Sequence, residues 1–303
     1  MNIVLRVNKE VQDKMIEYYT PKKRDKEIPY VILQADDNDT VITMYTSGKV
    51  MFQGTSADVD AMMWQEMMGA SKEEKEKKKQ EESIYHNCSS VGSDEVGTGD
   101  YFGPIVVTAC YVTKDDIEFL DSLGVGDSKK ISDDKILKIA PQIAKRVKYR
   151  SRILGNSEYN EKYNRNVNMN QIKAVMHNSV LYQLINEERP NYDYIIVDEF
   201  AREQRYYGYL NGIANIQRGI TFMTKAEDKN LAVACASIIS RYLFLKEFDK
   251  MCDNVGLPLV KGAGPEVDKI GEELVEKYGK EKLNEVAKVN FNNTSRILHT
   301  MVF

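Results

Sequence analysis

Two adjacent carboxylates stand at the end of a stretch of small residues in this sequence. Asp94 and Glu95 close a predicted strand, residues 89–94, and lead into a glycine-rich run that reaches Pro104. Neighbouring residues of a regular strand point to opposite faces, so the two acids share a site only if the strand ends or bulges there. The glycines favour such a turn and let backbone amides approach a phosphate or a sugar. A polar strand end with a tight turn explains the same residues equally well.

Two further acids occupy corresponding places. Asp198 directly follows the apolar run 194–197, and Glu227 follows a predicted strand, residues 220–223. The next residue, Asp228, is the predicted cap of the helix that follows. Ligand sites in open α/β sheets gather at strand ends, and like charges brought together are costly unless cations neutralise them. The four acids therefore predict a metal site.

Carboxylate oxygens favour hard cations such as Mg²⁺ or Mn²⁺. A pair of these ions ~3.5–4 Å apart can direct water at a phosphodiester, one ion activating the water and the other stabilising the departing 3′ oxygen. No nucleophilic side chain is then needed. The histidines His86, His177 and His299 stand in no recognisable triad, and each is interpreted as structural or exposed.

The elements that must position these acids alternate between strands and helices. Strands are predicted at 89–94, 105–112, 150–154, 194–197 and 220–223, and helices at 133–146, 170–188, 228–248, 266–278 and 282–289. The run 194–197 is short, fully apolar and bounded by charge, which is typical of a buried central strand. The alternation predicts an α/β domain over residues 84–303, with a mixed sheet covered on both faces.

A smaller unit precedes this domain. Residues 1–70 contain predicted helices at 11–19 and 57–68 and a predicted antiparallel meander of strands at 30–34, 41–45 and 49–53. The methionines Met62, Met63 and Met67 are interpreted as core packing. This unit holds no catalytic constellation, so we expect it to be a substrate-binding domain. The almost wholly charged run 72–82 cannot bury a face and predicts a linker over residues 71–83.

The bulk composition limits the classes of function. A formal charge of −4 over 303 residues gives no general sign of a polyanion-binding protein, so contact with nucleic acid must come from local basic patches. The four cysteines, Cys88, Cys110, Cys235 and Cys252, are scattered, which is typical of reduced thiols in a cytosolic protein. No signal-peptide pattern begins the chain, and no apolar run approaches the ~20 residues of a membrane helix. We therefore expect a cytoplasmic protein with no membrane association.

The run DEVGTGDYFGP, residues 94–104, resembles the signature of bacterial ribonuclease HIII, a relative of ribonuclease HII. Further stretches resemble that family in the expected order: GDSKK at 126–130, VNMN at 167–170, IVD at 196–198, TKAE at 224–227, ACASII at 234–239 and KGAG at 261–264. The resemblance covers nearly the whole second domain. Residues 47–54 also resemble part of that family's N-terminal extension, whose α+β fold is like that of the TATA-box-binding protein.

This resemblance implies a ribonuclease H-like fold and an endonuclease that hydrolyses the RNA strand of RNA–DNA hybrids. The products would carry 5′-phosphate and 3′-hydroxyl ends, and cleavage at a single embedded ribonucleotide would be weak. The implied two-metal site is built from Asp94, Glu95, Asp198 and Glu227, with Mg²⁺ as cofactor and Mn²⁺ as a possible substitute. We also expect a monomer with no obligate protein partner.

The resemblance further implies substrate contacts. The turn Gly97, Thr98 and Gly99 would test the 2′-hydroxyl of the RNA strand, the group that distinguishes RNA from DNA. The remaining expected contacts are Lys129, Lys130, Asn168 and Asn170, although solvation of the lysines and helix capping by the asparagines explain them as well. In the first domain Lys49 and the cluster 22–24 are candidate phosphate contacts or ordinary solvated charges.

Some features leave alternatives open. Asp228 stands directly beside Glu227, and Asn290 stands where the family is expected to have a histidine. An exonuclease of the carboxylate–metal class would account for the acids, but not for the 97–99 turn or the first domain. A non-catalytic binder with this fold would have lost at least one acid, and none is missing.

Overall fold

The structure of the protein is a computed structural model that describes residues 2–25, 28–37, 39–54, 57–68, 83–125, 131–164 and 166–298. The chain forms two compact units, residues 1–80 and 81–303. Apart from Ser83, the predicted linker 71–83 lies outside the described residues, as do Lys129, Lys130 and His299.

The first unit is an antiparallel sheet with helices packed on one face. Its elements are β1 (Asn2–Arg6), α1 (Lys9–Tyr19), β2 (Val31–Asp37), β3 (Thr40–Tyr45), β4 (Lys49–Gly54) and α2 (Ala57–Met68). The strand order is β1-β4-β3-β2. Alternate side chains such as Leu33, Ile42 and Phe52 are buried with residues of both helices. The Trp64 Nε1–H of α2 donates a hydrogen bond to the Tyr19 hydroxyl of α1 at 2.8 Å, which ties the two helices together.

The predicted meander is confirmed as β2, β3 and β4, but the prediction missed β1. This five-residue strand pairs with β4, its residue Asn2 lying opposite Gln53. So short an element carries little periodicity, and its partner lies far along the chain. Met62 is 56% exposed and does not belong to the core, whereas Met63 packs against it.

The second unit is a mixed sheet between helical layers, as the strand–helix alternation predicts. Its elements include β5 (Ser90–Val96), β6 (Ile105–Val112), α3 (Ile117–Leu123), α4 (Asp133–Arg146), β7 (Lys148–Leu154), α5 (Asn156–Lys162), α6 (Met169–Glu188), β8 (Tyr194–Asp198), α7 (Glu203–Tyr209), β9 (Ile220–Met223), α8 (Leu231–Val255), α9 (Pro265–Tyr278), α10 (Leu283–Val286) and α11 (Asn292–Ile297). The strand order is β7-β6-β5-β8-β9. Strands β5, β6 and β7 are antiparallel neighbours, whereas β8 runs parallel to both β5 and β9.

Helices cover both faces of this sheet. One hydrophobic core joins α8 and α4 to β6, and a second joins α6 to strand residues such as Val91, Val107 and Val197. Strand β8 lies between these layers, and its residues Ile195, Ile196 and Val197 are buried on both sides of the sheet. A third core joins the loop after β5 to the C-terminal helices α9, α10 and α11.

Helix α8 begins differently from the prediction. Its N-cap is Asn230, whose side chain accepts hydrogen bonds from the backbone N–H groups of Ala232 and Val233. Asp228 instead ends a short 3₁₀ turn, Ala226–Asp228, and does not cap the helix. Within the described part of the chain, no helix has the length and apolar character needed to cross a membrane.

Candidate active site

The carboxyl ends of three parallel strands bring the predicted acids to one edge of the sheet. The β5–β8 register ends with Ser93 opposite Val197, so Asp94 and Asp198 are the next residues on neighbouring strands. Hydrogen-bonded strands lie about 4.8 Å apart. Asp198 in turn lies opposite Met223, the last residue of β9, and the turn carrying Glu227 follows directly.

Asp94 lies against helix α8. The Ser237 hydroxyl of that helix hydrogen-bonds to the Asp94 carboxylate, and the Ser240 hydroxyl donates to the Asp94 carbonyl at 3.1 Å. The close approach of helix and strand requires Gly92, because a Cβ there would lie 2.5 Å from the Val233 backbone nitrogen. The absence of a side chain at Gly92 therefore lets α8 pack close to β5, where Ser237 can hydrogen-bond to Asp94.

Glu95 points to the other face of the sheet. Pairing stays regular through Glu95, opposite Val107, and Val96, opposite Val106. The expected end or bulge at Asp94 and Glu95 is therefore wrong, because the turn begins only at Gly97. Normal strand alternation directs the two side chains to opposite faces, but the charge of Glu95 still acts on Asp94, so the two carboxylates stay close without a bulge.

On that side Glu95 meets two residues of helix α6. Lys173 forms an ion pair with its Oε1, and the His177 Nε2 lies 2.9 Å from its Oε2. The His177 Nδ1 lies 2.8 Å from the Ser93 hydroxyl. A neutral imidazole satisfies both contacts by donating to Glu95 and accepting from Ser93. His177 is fully buried, and its contact with a candidate catalytic acid was not foreseen from the sequence.

Asp198 and Glu227 are linked through the 3₁₀ turn. The Ala226 backbone N–H donates to Asp198 Oδ1 at 3.0 Å. Glu227 is only 5% exposed, whereas its neighbour Asp228 is exposed. Of these two adjacent acids, the structure turns Glu227 inward, and its negative charge acts on Asp94.

The pKa values of Asp94 and Glu95 are shifted in opposite directions. Burial, with the nearby charges of Glu95 and Glu227, raises the pKa of Asp94 well above its usual range, although the Ser237 hydrogen bond opposes this. Burial also raises the pKa of Glu95, but the His177 hydrogen bond and the positive charge of Lys173 outweigh it, so the net pKa is lowered. The acids at this edge thus repel one another.

The donor chemistry fits a hard divalent cation, because the inward-facing groups are carboxylates whose mutual repulsion a cation would relieve. Their side chains are not arranged as a complete set of metal ligands. Among the described residues, no three acidic, histidine or cysteine side chains are grouped closely enough to hold a metal ion. Glu95, held by Lys173 and His177, lies turned away from Asp94.

The glycine turn after β5 combines a strained position with an open one. Gly97 has φ +95°, and a Cβ there would lie 2.1 Å from the Pro104 carbonyl oxygen, so this position requires glycine. Gly99 is exposed, with no atom within 4 Å of where its Cβ would stand. Its backbone is therefore accessible to a ligand.

The loop that continues this turn is fixed by distant residues. The Asp100 carboxylate accepts a hydrogen bond from the Gly262 backbone N–H at 2.6 Å. The side chain of Lys288, fully buried, donates to the carbonyl oxygens of Asp100 at 2.8 Å and Gly103 at 2.5 Å. Burial lowers the pKa of Lys288 to about 7.

The remaining expected residues fall in different places. Asn168 caps α6 by accepting from the Gln171 backbone N–H at 3.0 Å. Asn170 is exposed and lines a cavity of about 340 Å³ with residues that follow Asp198. Asn290 accepts a hydrogen bond from the Tyr159 hydroxyl at 2.9 Å.

Comparison with known proteins identifies the relatives of this chain. Residues 91–294 match the family described as ribonuclease HII, and residues 2–81 match a domain of unknown function (DUF3378). A ribonuclease HIII from Bacillus cereus (strain ATCC 14579) is 39% identical over 307 residues, which cover 99% of each chain. This chain belongs to the ribonuclease HIII family. A ribonuclease HIII from Bacillus anthracis (strain A0248) is 38% identical over 302 residues, 97% of each chain.

Solved structures of ribonuclease HIII agree. Bst-RNase HIII in complex with Mn²⁺ is 35% identical, with a TM-score of 0.71 over 100% of this chain and 99% of that one. Aquifex aeolicus RNase H3 is 22% identical, with a TM-score of 0.56 over 96% of this chain and 100% of that one, and supports the fold alone. The resemblance inferred from the sequence is confirmed, and as a ribonuclease HIII the chain is an endoribonuclease of the ribonuclease H class.

Sequence reasoning missed the residues that support the acids from the helices. Lys173 and His177 are one helical turn apart, a spacing that places both on one face of α6. The sequence signal that could have indicated them is the presence of a lysine and a histidine on a face of α6 that is otherwise mostly apolar. Their partner Glu95 lies on a different element, and no local pattern points to it.

Proposed function

We propose that this chain hydrolyses the RNA strand of RNA–DNA hybrids at a divalent-cation site formed by Asp94, Glu95, Asp198 and Glu227. The observation that carries the proposal is the position of Asp94 and Asp198 at adjacent strand ends, with the charge of Glu227 acting on Asp94. Such a cluster is costly without cations. The cofactor is a divalent cation, Mg²⁺ or Mn²⁺, in keeping with the Mn²⁺ complex of the related Bst-RNase HIII.

Bound cations would supply an activated water and charge stabilisation for the departing 3′ oxygen, leaving 5′-phosphate and 3′-hydroxyl ends. The protein's own groups hold the carboxylates in place. Ser237 orients the Asp94 carboxylate from α8, and the Ala226 backbone N–H orients that of Asp198. Lys173 and His177 orient the Glu95 carboxylate from α6.

Recognition of the RNA strand is assigned to the turn Gly97, Thr98 and Gly99. The exposed backbone at Gly99 can approach a ribose closely, and the 2′-hydroxyl both donates and accepts hydrogen bonds. The buried Lys288 keeps the following loop in one conformation through two carbonyl oxygens. A rigid loop at this position favours discrimination between ribose and deoxyribose.

Phosphate contacts are assigned to two arginines that follow Asp198 in the chain. Arg202 and Arg205 are exposed, line the cavity that contains Asn170, and form no ion pair with any residue that the structure describes. Both follow Asp198 closely in the chain. Guanidinium groups suit phosphate oxygens, so this cavity fits a backbone phosphate near the scissile bond. The contacts expected of Lys129 and Lys130 remain predictions.

The first unit is assigned to duplex binding through the face of its sheet that the helices leave uncovered. Two of the suspected phosphate contacts already have partners, since Lys22 pairs with Asp37 and Arg24 with Asp36. Lys49 is exposed and stands directly opposite Arg6, which is also exposed. Like charges in opposed positions of a sheet are destabilising, and a polyanion would relieve the repulsion.

The test is cleavage of an RNA–DNA hybrid labelled at one end of the RNA strand, with Mg²⁺, with EDTA and with Asp94→Asn. We expect internal cuts in the RNA strand alone, lost on chelation and reduced at least about 1,000-fold by Asp94→Asn. Cleavage that survives the substitution would mean that the site is misplaced. Products released from one end only would indicate an exonuclease, and binding without cleavage would indicate a non-catalytic binder.

A second substrate tests the finer specificity. We expect a duplex with a single embedded ribonucleotide to be cut much more slowly than a continuous hybrid. Comparable rates on the two substrates would contradict this. The cytoplasmic location, the monomeric state and the absence of an obligate partner stay predictions.

A further inference from the structure

The ion pair between Lys173 and Glu95 occupies an unusual position for a salt bridge. Lys173 is 8% exposed, and its Nζ reaches Glu95 Oε1 from helix α6. The same Nζ lies 4.1 Å from the centroid of the Phe200 ring, and Phe200 follows Asp198 by two residues. The ammonium thus lies between residues of β5 and of the loop after β8, the two elements that carry Asp94 and Asp198.

The neighbouring contacts fix this arrangement in place. The Phe200 ring stacks on His177, with centroids 5.4 Å apart and an interplanar angle of 26°. His177 holds the second oxygen of Glu95 at 2.9 Å and is itself held by the Ser93 hydroxyl. Both carboxylate oxygens of Glu95 are therefore engaged by side chains from one helix, on the face opposite to Asp94.

We propose that Lys173 is the internal counter-ion of the metal site: it holds Glu95 against α6 and competes with the divalent cation for that carboxylate. The inference rests on the proposed function, because it takes Glu95 as a ligand. A buried cation beside a cluster of acids lowers their mutual repulsion while the site lacks metal. The same charge repels an incoming divalent cation, so Lys173 weakens metal binding and fixes the position that Glu95 takes.

Two substitutions in the full-length protein separate charge from packing. Lys173→Met keeps most of the side-chain length and removes the charge, whereas Lys173→Arg keeps the charge. Mn²⁺ binding is measured without substrate, by electron paramagnetic resonance of the free ion. We expect Lys173→Met to lower the Kd for Mn²⁺ on the order of tenfold, the scale of divalent–monovalent repulsion over a few ångströms in a solvated site. Lys173→Arg is expected to stay close to the parent protein.

Kinetics give the second readout. At saturating Mn²⁺ we expect Lys173→Met to lower kcat about tenfold with KM for the hybrid unchanged, because the Glu95 oxygen that does not bind the cation loses the contact that fixes it. Lys148→Met serves as the matched control, since it removes a surface ion pair with Glu188 and is expected to change neither quantity. If Lys173→Met fails to fold by circular dichroism, Lys173→Gln takes its place.

Unchanged or weaker Mn²⁺ binding by the uncharged variant would overturn the inference, as would a loss of thermal stability with kcat intact. Asp94→Asn separates this failure from that of the proposed site. If Asp94→Asn binds Mn²⁺ like the parent protein, the ligand set is wrong and both proposals fall. If it loses Mn²⁺ binding while Lys173→Met gains none, only the role of Lys173 is overturned.

Discussion

Glu227 and Asp228 are adjacent acids in different surroundings. Glu227 lies inside the 3₁₀ turn and is almost fully buried, whereas Asp228 faces solvent. A buried carboxylate near other carboxylates is retained only where something compensates it, while an exposed one has little electrostatic effect. The environment of each side chain thus distinguishes the buried Glu227, which the resemblance implies as a ligand, from the exposed Asp228.

This difference gives a prediction for two matched substitutions. We expect Glu227→Gln to lower the cleavage rate of a hybrid at least about 100-fold, because it removes a charged oxygen from the proposed metal site. Asp228→Asn, which makes the same chemical change one residue away, is expected to stay within about twofold. Steady-state cleavage with Mg²⁺ measures both, and a larger loss in Asp228→Asn would reverse the assignment of the fourth acid.

At the scale of elements, the site depends on how closely helix α8 approaches strand β5. The contact occurs at Gly92, two residues before Asp94, where any side chain would meet the backbone of Val233. The Ser237 hydroxyl that orients Asp94 lies one turn further along the same helix. The residue at position 92 therefore affects both the packing of α8 on β5 and the position of the Asp94 carboxylate.

We expect Gly92→Ala to lower the free energy of unfolding by about 1–3 kcal/mol, because the helix must move outward to admit a methyl group. Urea denaturation measures this change. Gly208→Ala is the control, since that exposed glycine lies in helix α7 with no atom near its missing Cβ, and it is expected to be neutral or slightly stabilising. Equal stability of the two variants would show that α8 moves freely over β5.

The buried Lys288 gives a prediction of how the free energy of unfolding depends on pH. Its pKa is about 7 in the folded chain and about 10.4 when unfolded, so between these values the unfolded state binds more protons. The free energy of unfolding should therefore rise with pH from about 7 to 9, by about 1.4 kcal/mol per pH unit, and the charged form should be destabilising below pH 7. Lys288→Met should lack this rise.

Urea denaturation at pH 6, 7, 8 and 9 measures the difference between parent and variant. Lys280→Met removes an exposed lysine close by in sequence and should keep the parent slope. Parallel curves for the parent and Lys288→Met would mean that Lys288 keeps its proton throughout, contrary to the effect of its burial.

At the scale of the whole molecule, local patterns predicted most elements, and contacts between distant residues decided the rest. The apolar run before Asp198 and the amphipathic helix Asp133–Arg146 can both be recognised from their own residues, and both were predicted. Strand β1 was missed because its partner lies elsewhere in the chain. The strand end or bulge expected at Asp94 and Glu95 was also wrong, because only the pairing with β6 reveals where β5 stops.

The first unit gives a prediction about binding. Arg6 and Lys49 stand opposite each other on the uncovered face of the sheet, so we expect the double substitution to alanine to weaken hybrid binding and to reduce the salt dependence of log Kd by about two ion equivalents. Lys22→Ala is the control, because Lys22 already pairs with Asp37. Affinity titrations over a range of NaCl concentrations measure both, and an unchanged slope would exclude this face from the interface.

The hydrogen bonds from Lys288 to the loop after β5 also determine when, during synthesis of the chain, that loop can take its folded conformation. Lys288 comes 188 positions after Asp100 and 185 positions after Gly103 in the chain. The loop therefore gains its fixed conformation only when residue 288 is available. During synthesis the ribosome releases all four acids well before that residue. A nascent chain would thus carry the four acids before the glycine turn is fixed, so the ribose discrimination that we propose for that turn is expected only after residue 288 has been translated.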